Sequence, residues 1–133
     1  MRRVLGRYSE YFYAILRIVV GFLFILHGTQ KMLGFPILAP GPIGALGETA
    51  AVIEIVAGLL VAIGLFASVG AFIASGEMAV AYFMAHFRAE APLPIQNGGE
   101  LAVLYCFIFL YVAAKGSGLW SVDSLRGAPA AKL

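Results

Sequence analysis

The sequence predicts an all-α integral membrane protein, a bundle of four transmembrane helices that forms a single domain over residues 1–133. Two observations lead to this fold class: the composition and the number of long apolar stretches. Hydrophobic residues make up 62% of the chain and charged residues 12%, whereas an ordinary soluble domain has about 25% charged residues. Because one membrane span takes about 20 residues, four spans with short loops nearly fill the chain.

The first two predicted spans, at about residues 11–33 and 43–66, are separated by a segment rich in glycine and proline. Proline lacks the backbone N–H and clashes with the preceding turn of a helix, so residues 34–42 are expected to form a loop or a re-entrant turn. A secretory signal peptide is the alternative for the N-terminus. The apolar stretch there is longer than a signal core and contains Arg17, so we expect it to remain as a span.

The third and fourth predicted spans cover about residues 71–87 and 98–114. The connection at 67–70 is short enough to make the second and third helices antiparallel neighbours. Asn97 is a good N-capping residue, and Glu100 follows at the spacing of a capping box. We therefore expect these two residues to begin the fourth helix together.

Basic residues cluster near the two termini. Cytoplasmic loops of membrane proteins are enriched in lysine and arginine, so both short tails are predicted to lie on the cytoplasmic side of a bacterial inner membrane. Lys31 and Arg88 then lie near the outer ends of their helices. The net charge of +2 includes no basic patch of the kind that binds nucleic acid, so no nucleic-acid partner is expected. The residues assigned to the cytoplasmic side are Arg2, Arg3, Arg7, Lys115, Arg126 and Lys132.

Ionisable side chains inside the spans are the most informative residues of the sequence. Each costs at least about 2.5 to 3.5 kcal/mol near the centre of a membrane helix, so they are expected to face one another or a wet cavity. Their depths predict two layers. The inner layer is a buried ion-pair network of Arg17, Glu54 and Glu77. The outer layer is a candidate ligand or proton pocket formed by His27, Lys31, Glu48, His86, Arg88 and Glu100.

Helical phase tests whether these side chains can meet. At about 100° per residue, polar and small residues share one face in each of the first three helices. His86 falls about half a turn from Glu77, so a regular helix cannot aim both at one point. Either His86 belongs to the outer pocket alone, or the helix is distorted there. The three faces are Arg17, Gly21, Phe24, Gly28 and Lys31; Gly47, Ala51, Glu54 and Gly58; and Gly70, Ala74, Glu77, Ala81 and Arg88.

Structural explanations compete with functional ones at each of these positions. A buried charge must be paired whatever the protein does, and Lys31 could instead extend toward the membrane surface. His27 and His86 lack the spacing of a haem or metal site, so no metal and no intrinsic cofactor are expected. The residues predicted to be structural are Asn97 and Gly98 before the fourth helix, and Gly116, Gly118, Trp120 and Asp123 in a turn that closes the bundle.

Six short motifs, taken in order, give the sequence a family resemblance. From about Leu16 to Leu125 it resembles the DoxX family of small four-helix membrane proteins. Many relatives have proline where Ser117 stands here, a departure that affects the closing turn more than the chemistry. The motifs are Arg17; Gly28-Thr29-Gln30-Lys31; Ile53-Glu54 with Gly58 and Gly64; Ala85-His86-Phe87; Asn97-Gly98-Gly99-Glu100-Leu101-Ala102; and Gly116-Ser117-Gly118-Leu119-Trp120-Ser121-Val122-Asp123.

The resemblance implies a role in membrane redox chemistry. Members of this family are associated with thiosulfate:quinone oxidoreductases, with thiol-stress complexes and with the handling of quinone-like compounds. A quinone also fits the residues, because its carbonyls need hydrogen-bond donors and its ring and tail need apolar surface. The donors are His27, Lys31 and His86, and the apolar surface includes Phe24, Phe83 and Phe87.

The function expected from these features is a quinone-interacting subunit of a membrane oxidoreductase or redox-stress system. A partner protein is expected to supply electrons, because the chain has no recognisable flavin or iron–sulfur motif. A small transporter or channel, which would need to form a homo-oligomer, is one alternative. A non-catalytic assembly subunit is another.

Overall fold

Helices form all the regular structure in residues 2–38 and 41–127, the part of the chain that this computed structural model describes. Four of the helices are long: α1 (Ser9–Leu33), α2 (Gly44–Ile63), α3 (Ala67–Ala81) and α4 (Glu100–Lys115). A π-helical turn, Tyr82–His86, extends α3. Shorter helical turns are found at Arg2–Leu5, Gly6–Tyr8, Pro94–Asn97 and Val122–Leu125.

The long helices run alternately up and down between two ends of the bundle. The terminal end holds the start of α1, the α2–α3 turn and residues 116–127, and the loop end holds residues 34–38, 41–43 and 87–99. Lys132, which was assigned to the predicted cytoplasmic tail, lies outside the described residues, as do the side chains of Arg2 and Arg3.

Three helical segments, Gly6–Leu33, Gly44–Ile63 and Ala67–His86, are long and apolar enough to cross a membrane. Large apolar side chains such as Phe72 and Phe107 cover the outside of the bundle, as expected for a surface in contact with lipid. Helix α4 has 16 residues and is therefore about 24 Å long at 1.5 Å per residue, shorter than the other three segments.

Small residues let α1 and α2 pack closely. A Cβ atom added at Gly21 would lie 2.7 Å from the carbonyl oxygen of Gly58, and one added at Gly28 would lie 2.6 Å from that of Ala51. Contacts this short leave no room for a side chain. The glycine faces predicted for these two helices therefore do meet in the structure.

Aromatic rings fill the space between α1 and α4. Phe24 of α1 contacts Phe109 of α4 with ring centroids 4.6 Å apart, and Tyr105 stacks on Phe109 at 5.7 Å. All three side chains are buried. These rings hold α1 and α4 together through hydrophobic contact and aromatic packing.

Helix α3 begins at Ala67 rather than at residue 71, so the predicted connection at 67–70 is in fact the first turn of the helix. Helix α2 ends at Ile63 and is capped by Gly64, whose φ of 71° is the left-handed conformation that glycine adopts readily. The backbone N–H of Phe66 then donates to the Asp123 carboxylate at 2.9 Å. A negative charge at a helix N-terminus stabilises it, and this one comes from a distant part of the chain.

The capping box predicted from Asn97 and Glu100 is not formed. Asn97 ends the separate turn Pro94–Asn97, and Gly98 follows with a φ of 74°. Gly99 stands at the N-cap of α4, where it has no side chain to cap the helix, and its N–H donates to Asn97 Oδ1 at 2.9 Å. The Asn97 side chain instead donates to the Tyr82 hydroxyl at 3.2 Å and to the carbonyl of Ala91 at 3.1 Å. Asn97 therefore fastens the 87–99 loop to α3.

Candidate functional site

A cavity of about 390 Å³ lies inside the bundle toward the loop end. Each of the four long helices or its extension contributes a side chain to it. Pockets for small ligands typically measure about 300 to 1,000 Å³ and combine apolar walls with a few polar groups, and this cavity fits that description. Its polar side chains are His27, Lys31, Glu54, His86 and Tyr105, and its apolar wall includes Phe24, Met78, Ala81, Ala85, Leu101 and Ala102.

An ion pair between Lys31 and Glu54 forms one side of the cavity. The Lys31 ammonium donates to Oε1 of Glu54 at 2.6 Å. Glu54 is 2% exposed, whereas Lys31 is 32% exposed. Oε2 of Glu54 is buried and has no hydrogen-bond partner among the described residues. The pair is electrically neutral and retains one free acceptor.

The prediction that Arg17, Glu54 and Glu77 form one ion-pair network is wrong. Arg17 Nη2 donates to the carbonyls of Trp120 at 2.8 Å and Leu119 at 3.3 Å. Glu54 pairs with Lys31, and Glu77 forms no ion pair within the described ranges. The physical reason is the direction of helical side chains, which point toward the N-terminus of their own helix.

Both basic side chains of α1 extend toward the N-terminal end of that helix. The Arg17 side chain extends toward the terminal end and away from Glu54. The Lys31 side chain starts near the loop end and extends toward the middle of the bundle, where it reaches Glu54. The two layers predicted from Cα depth therefore do not describe the charged groups themselves.

The two histidines reach the cavity from different helices. The ring of His27 on α1 stands perpendicular to that of Tyr105, with centroids 5.7 Å apart. His86 ends the π-helical turn, in which the N–H of Phe87 donates to the carbonyl of Tyr82 at 2.8 Å. A π turn closes over one more residue than an α turn and is common at functional sites.

The π turn changes where His86 points. In a regular helix it would lie about 80° from Met78 and about 140° from Ala81 around the helix axis. A π residue turns the chain by less than an α residue does, which brings His86 back toward that face and into the cavity. The helix is therefore distorted at this point. Glu77 and His86 lie in different spaces, because Glu77 lines a groove between α2 and α3.

Three of the six residues predicted for the outer pocket do not line the cavity. Glu48 is exposed and lines a shallow depression on the outside of the bundle with Lys31. Glu100 is also exposed and lines a depression beside Pro94. Arg88 follows the π turn and is exposed in the 87–99 loop. His27, Lys31 and His86 are thus the predicted residues that the fold brings together.

Tyr105 and Met78 line the cavity but were not singled out in the sequence. Tyr105 lies four residues before Phe109, which places both on the buried face of α4, and a tyrosine on such a face brings a hydroxyl into an apolar interior. That spacing is the signal that could have identified Tyr105. Met78 carries no comparable signal, because methionine is an ordinary core residue.

The closing segment, residues 116–127, fastens the terminal end of the bundle. Asp123 accepts hydrogen bonds from Ser117 Oγ at 2.6 Å and from the N–H of Phe66 at 2.9 Å. The Tyr13 hydroxyl donates to the carbonyl of Gly116.

Trp120 and Gly118 complete the packing of this segment. Trp120 is 59% exposed and packs edge-on against Tyr11 at 5.6 Å. A Cβ at Gly118 would lie 2.8 Å from the ring of Tyr13. The segment therefore connects α1, α4 and the α2–α3 turn, at the opposite end of the bundle from the cavity.

The fold and the cavity define a multi-pass α-helical membrane protein with a polar pocket in its interior. The model of the DoxX family matches residues 12–87, more than half of the chain. An uncharacterized protein of Haemophilus influenzae is 50% identical over 126 residues, which cover 90% of this chain and 94% of that protein. The chain belongs to the DoxX family. No solved structure matches it.

The family match covers α1, α2, α3 and the π turn. It therefore includes His27, Lys31, Glu54 and His86. The closing motif lies beyond the matched residues, and in it Ser117 donates a hydrogen bond to Asp123 at 2.6 Å.

Proposed function

We propose that this DoxX-family protein is a quinone-interacting subunit of a membrane oxidoreductase or redox-stress system. The observation that supports the proposal is the convergence of His27, His86 and the Lys31–Glu54 pair on one cavity with an aromatic wall. A quinone head is flat, neutral and carries two carbonyl acceptors. Donors on one side and apolar surface on the other are what such a head requires.

The charges of the cavity favour a neutral head over an anionic one. The Lys31 ammonium is balanced by Glu54 at 2.6 Å, so no uncompensated cation remains to attract an anion. His27, His86 and the Tyr105 hydroxyl can donate hydrogen bonds to carbonyl oxygens. The same groups can pass protons when the head takes up two electrons and two protons to become a quinol.

Electrons must come from a partner in this proposal, because the chain carries no flavin or iron–sulfur motif. The partner is a redox protein of the membrane or its surface. A homo-oligomer that forms a transport path is the alternative, and it predicts solute or proton flux through liposomes that contain this protein alone.

The proposal includes four transmembrane helices, with α4 as the fourth. A helix of 16 residues can cross a bilayer that thins locally or in which flanking residues extend toward the surface. Both termini are proposed to lie in the cytoplasm, with the bundle in a bacterial inner membrane. Arg7, Lys115 and Arg126 at the terminal end support that orientation through the positive-inside rule.

Binding of a quinone analogue to the protein purified in mild detergent tests the proposal. His86→Ala and His27→Ala are each expected to weaken binding about tenfold, the loss of about 1.4 kcal/mol expected for a neutral hydrogen bond. Glu48→Ala and Glu100→Ala are the matched controls, since both positions lie near the loop end but outside the cavity. No binding by the wild-type protein, or equal losses in all four variants, would contradict the proposal.

A further inference from the structure

We infer that the groove between α2 and α3 holds a long apolar chain attached to the head group that the cavity binds. The inference rests on the proposed function and narrows its substrate class. The ligand is a lipid quinone with a prenyl or alkyl chain, rather than a small quinone without one. The observation that supports the inference is that an apolar groove lies directly beside the polar cavity.

The groove measures about 550 Å³ and is lined mainly by apolar side chains from the loop-end half of α2 and from α3 and its π turn. Thr49, Glu77 and Lys31 are the polar side chains of its lining. The groove opens on the outside of the bundle, on the surface that faces lipid in the proposed orientation. Its apolar wall includes Leu46, Ala50, Phe72, Ile73, Val80 and Met84.

The groove and the cavity adjoin. Lys31, Ala81 and Ala85 line both spaces. Two of these side chains are single methyl groups, and the third is a flexible lysine whose ammonium bonds Glu54. A molecule whose head contacts Glu54 therefore has a short path, past small side chains, to the lipid-facing side of the bundle.

Gly76 leaves room in the groove. At the terminal end α2 and α3 lie close together, since a Cβ added at Gly70 would be 3.1 Å from Leu60. Toward the loop end, a Cβ added at Gly76 would find nothing within 4 Å. Gly76 lines the groove, so the absence of a side chain there keeps the space open.

The depth of the cavity argues for a lipid quinone rather than an ordinary phospholipid. Glu54 lies ten residues beyond the start of α2, which is about 15 Å along the helix at 1.5 Å per residue. A phospholipid head group stays at the membrane surface, because its charge is costly at such depth. A neutral head can enter, and its chain then extends through the groove into the surrounding lipid.

The test compares decylubiquinone with the same benzoquinone head lacking its chain, and uses Gly76→Leu to fill the groove. The wild-type protein is expected to bind the chain-bearing compound at least about tenfold more tightly. In Gly76→Leu that advantage should disappear, while the affinity for the chainless head stays unchanged. Val80→Phe, which narrows the same groove from an exposed position, should act in the same direction.

Ala114→Leu is the matched control, because residue 114 is exposed on α4 and lines neither space. Equal affinity of the wild type for both compounds would overturn the inference that the groove binds the chain, and so would equal losses of affinity for both compounds in Gly76→Leu. Either result would leave the quinone proposal in place. Failure of the wild type to bind either compound would overturn both. A copurifying phospholipid that Gly76→Leu releases and decylubiquinone does not displace would also overturn the inference.

Discussion

Arg17 and Lys31 lie on the same face of α1, but their side chains serve different parts of the bundle. Arg17 is fully buried and donates to the backbone carbonyls of Leu119 and Trp120. Lys31 pairs with Glu54 beside the cavity. A buried charge needs a partner in either case, and the partner is the group that the side chain can reach from its own helix.

Replacing Lys31 tests the importance of the buried pair. Lys31→Met leaves the Glu54 carboxylate without its partner and should lower the free energy of unfolding by about 3 kcal/mol, the lower end of the range for a broken buried pair because Lys31 is partly exposed. Lys31→Met combined with Glu54→Leu should recover most of that loss. Unfolding in detergent, followed by circular dichroism, measures the difference.

The pair Lys115–Glu10 provides the control for this measurement. Its two charged atoms are 2.7 Å apart, close to the 2.6 Å of the Lys31–Glu54 pair, but Glu10 is 50% exposed. Solvent-exposed pairs contribute about 0 to 1 kcal/mol, so Lys115→Met should change the stability little. Equal effects of Lys31→Met and Lys115→Met would mean that burial of Glu54 has no energetic consequence.

At the scale of elements, two irregular segments determine the architecture of the bundle. The π turn at Tyr82–His86 brings a histidine into the cavity. The closing segment returns to the bundle after α4 and carries Asp123 to the start of α3. Both depend on interactions that a regular helix does not make.

Removing the Asp123 carboxylate tests the role of the closing segment. Asp123→Ala deletes the acceptor for Phe66 N–H and Ser117 Oγ, and hydrogen bonds to a charged group contribute about 1.5 to 3 kcal/mol. We expect the free energy of unfolding to fall by about 2 kcal/mol, while quinone-analogue affinity of the folded protein is unchanged. Leu125→Ala, at a position 87% exposed, is the control. A loss of affinity without a loss of stability would assign the closing motif to the binding site instead.

At the scale of the whole molecule, the two ends of the bundle have different charges. At the terminal end the basic residues Arg7, Lys115 and Arg126 outnumber Glu10 and Asp123. At or near the loop end the acidic residues Glu48, Glu90 and Glu100 outnumber Lys31 and Arg88. The basic residues at the terminal end support the proposed orientation, with that end in the cytoplasm. In the proposed orientation the cavity lies in the outer half of the membrane.

Thiol labelling of intact cells tests this orientation. In a Cys106→Ser background, a cysteine introduced by Glu90→Cys should react with a membrane-impermeant reagent from outside. One introduced by Leu125→Cys should react only after the membrane is permeabilised. Both positions are exposed, so accessibility depends on the side of the membrane. The reverse labelling pattern would place the cavity in the inner half.

The sequence by itself determined the all-helical class, the membrane-spanning character and the faces on which Gly21, Gly28 and Gly58 meet. Composition and helical periodicity are local properties, and they need no knowledge of the neighbouring helix. The tertiary structure alone decided that Glu54 pairs with Lys31 rather than Arg17, and that Arg17 bonds a segment more than a hundred residues away. It also decided that Glu77 faces the groove between α2 and α3 rather than the cavity. These outcomes depend on the relative heights and rotations of packed helices and on the reach of each side chain, which no local pattern encodes.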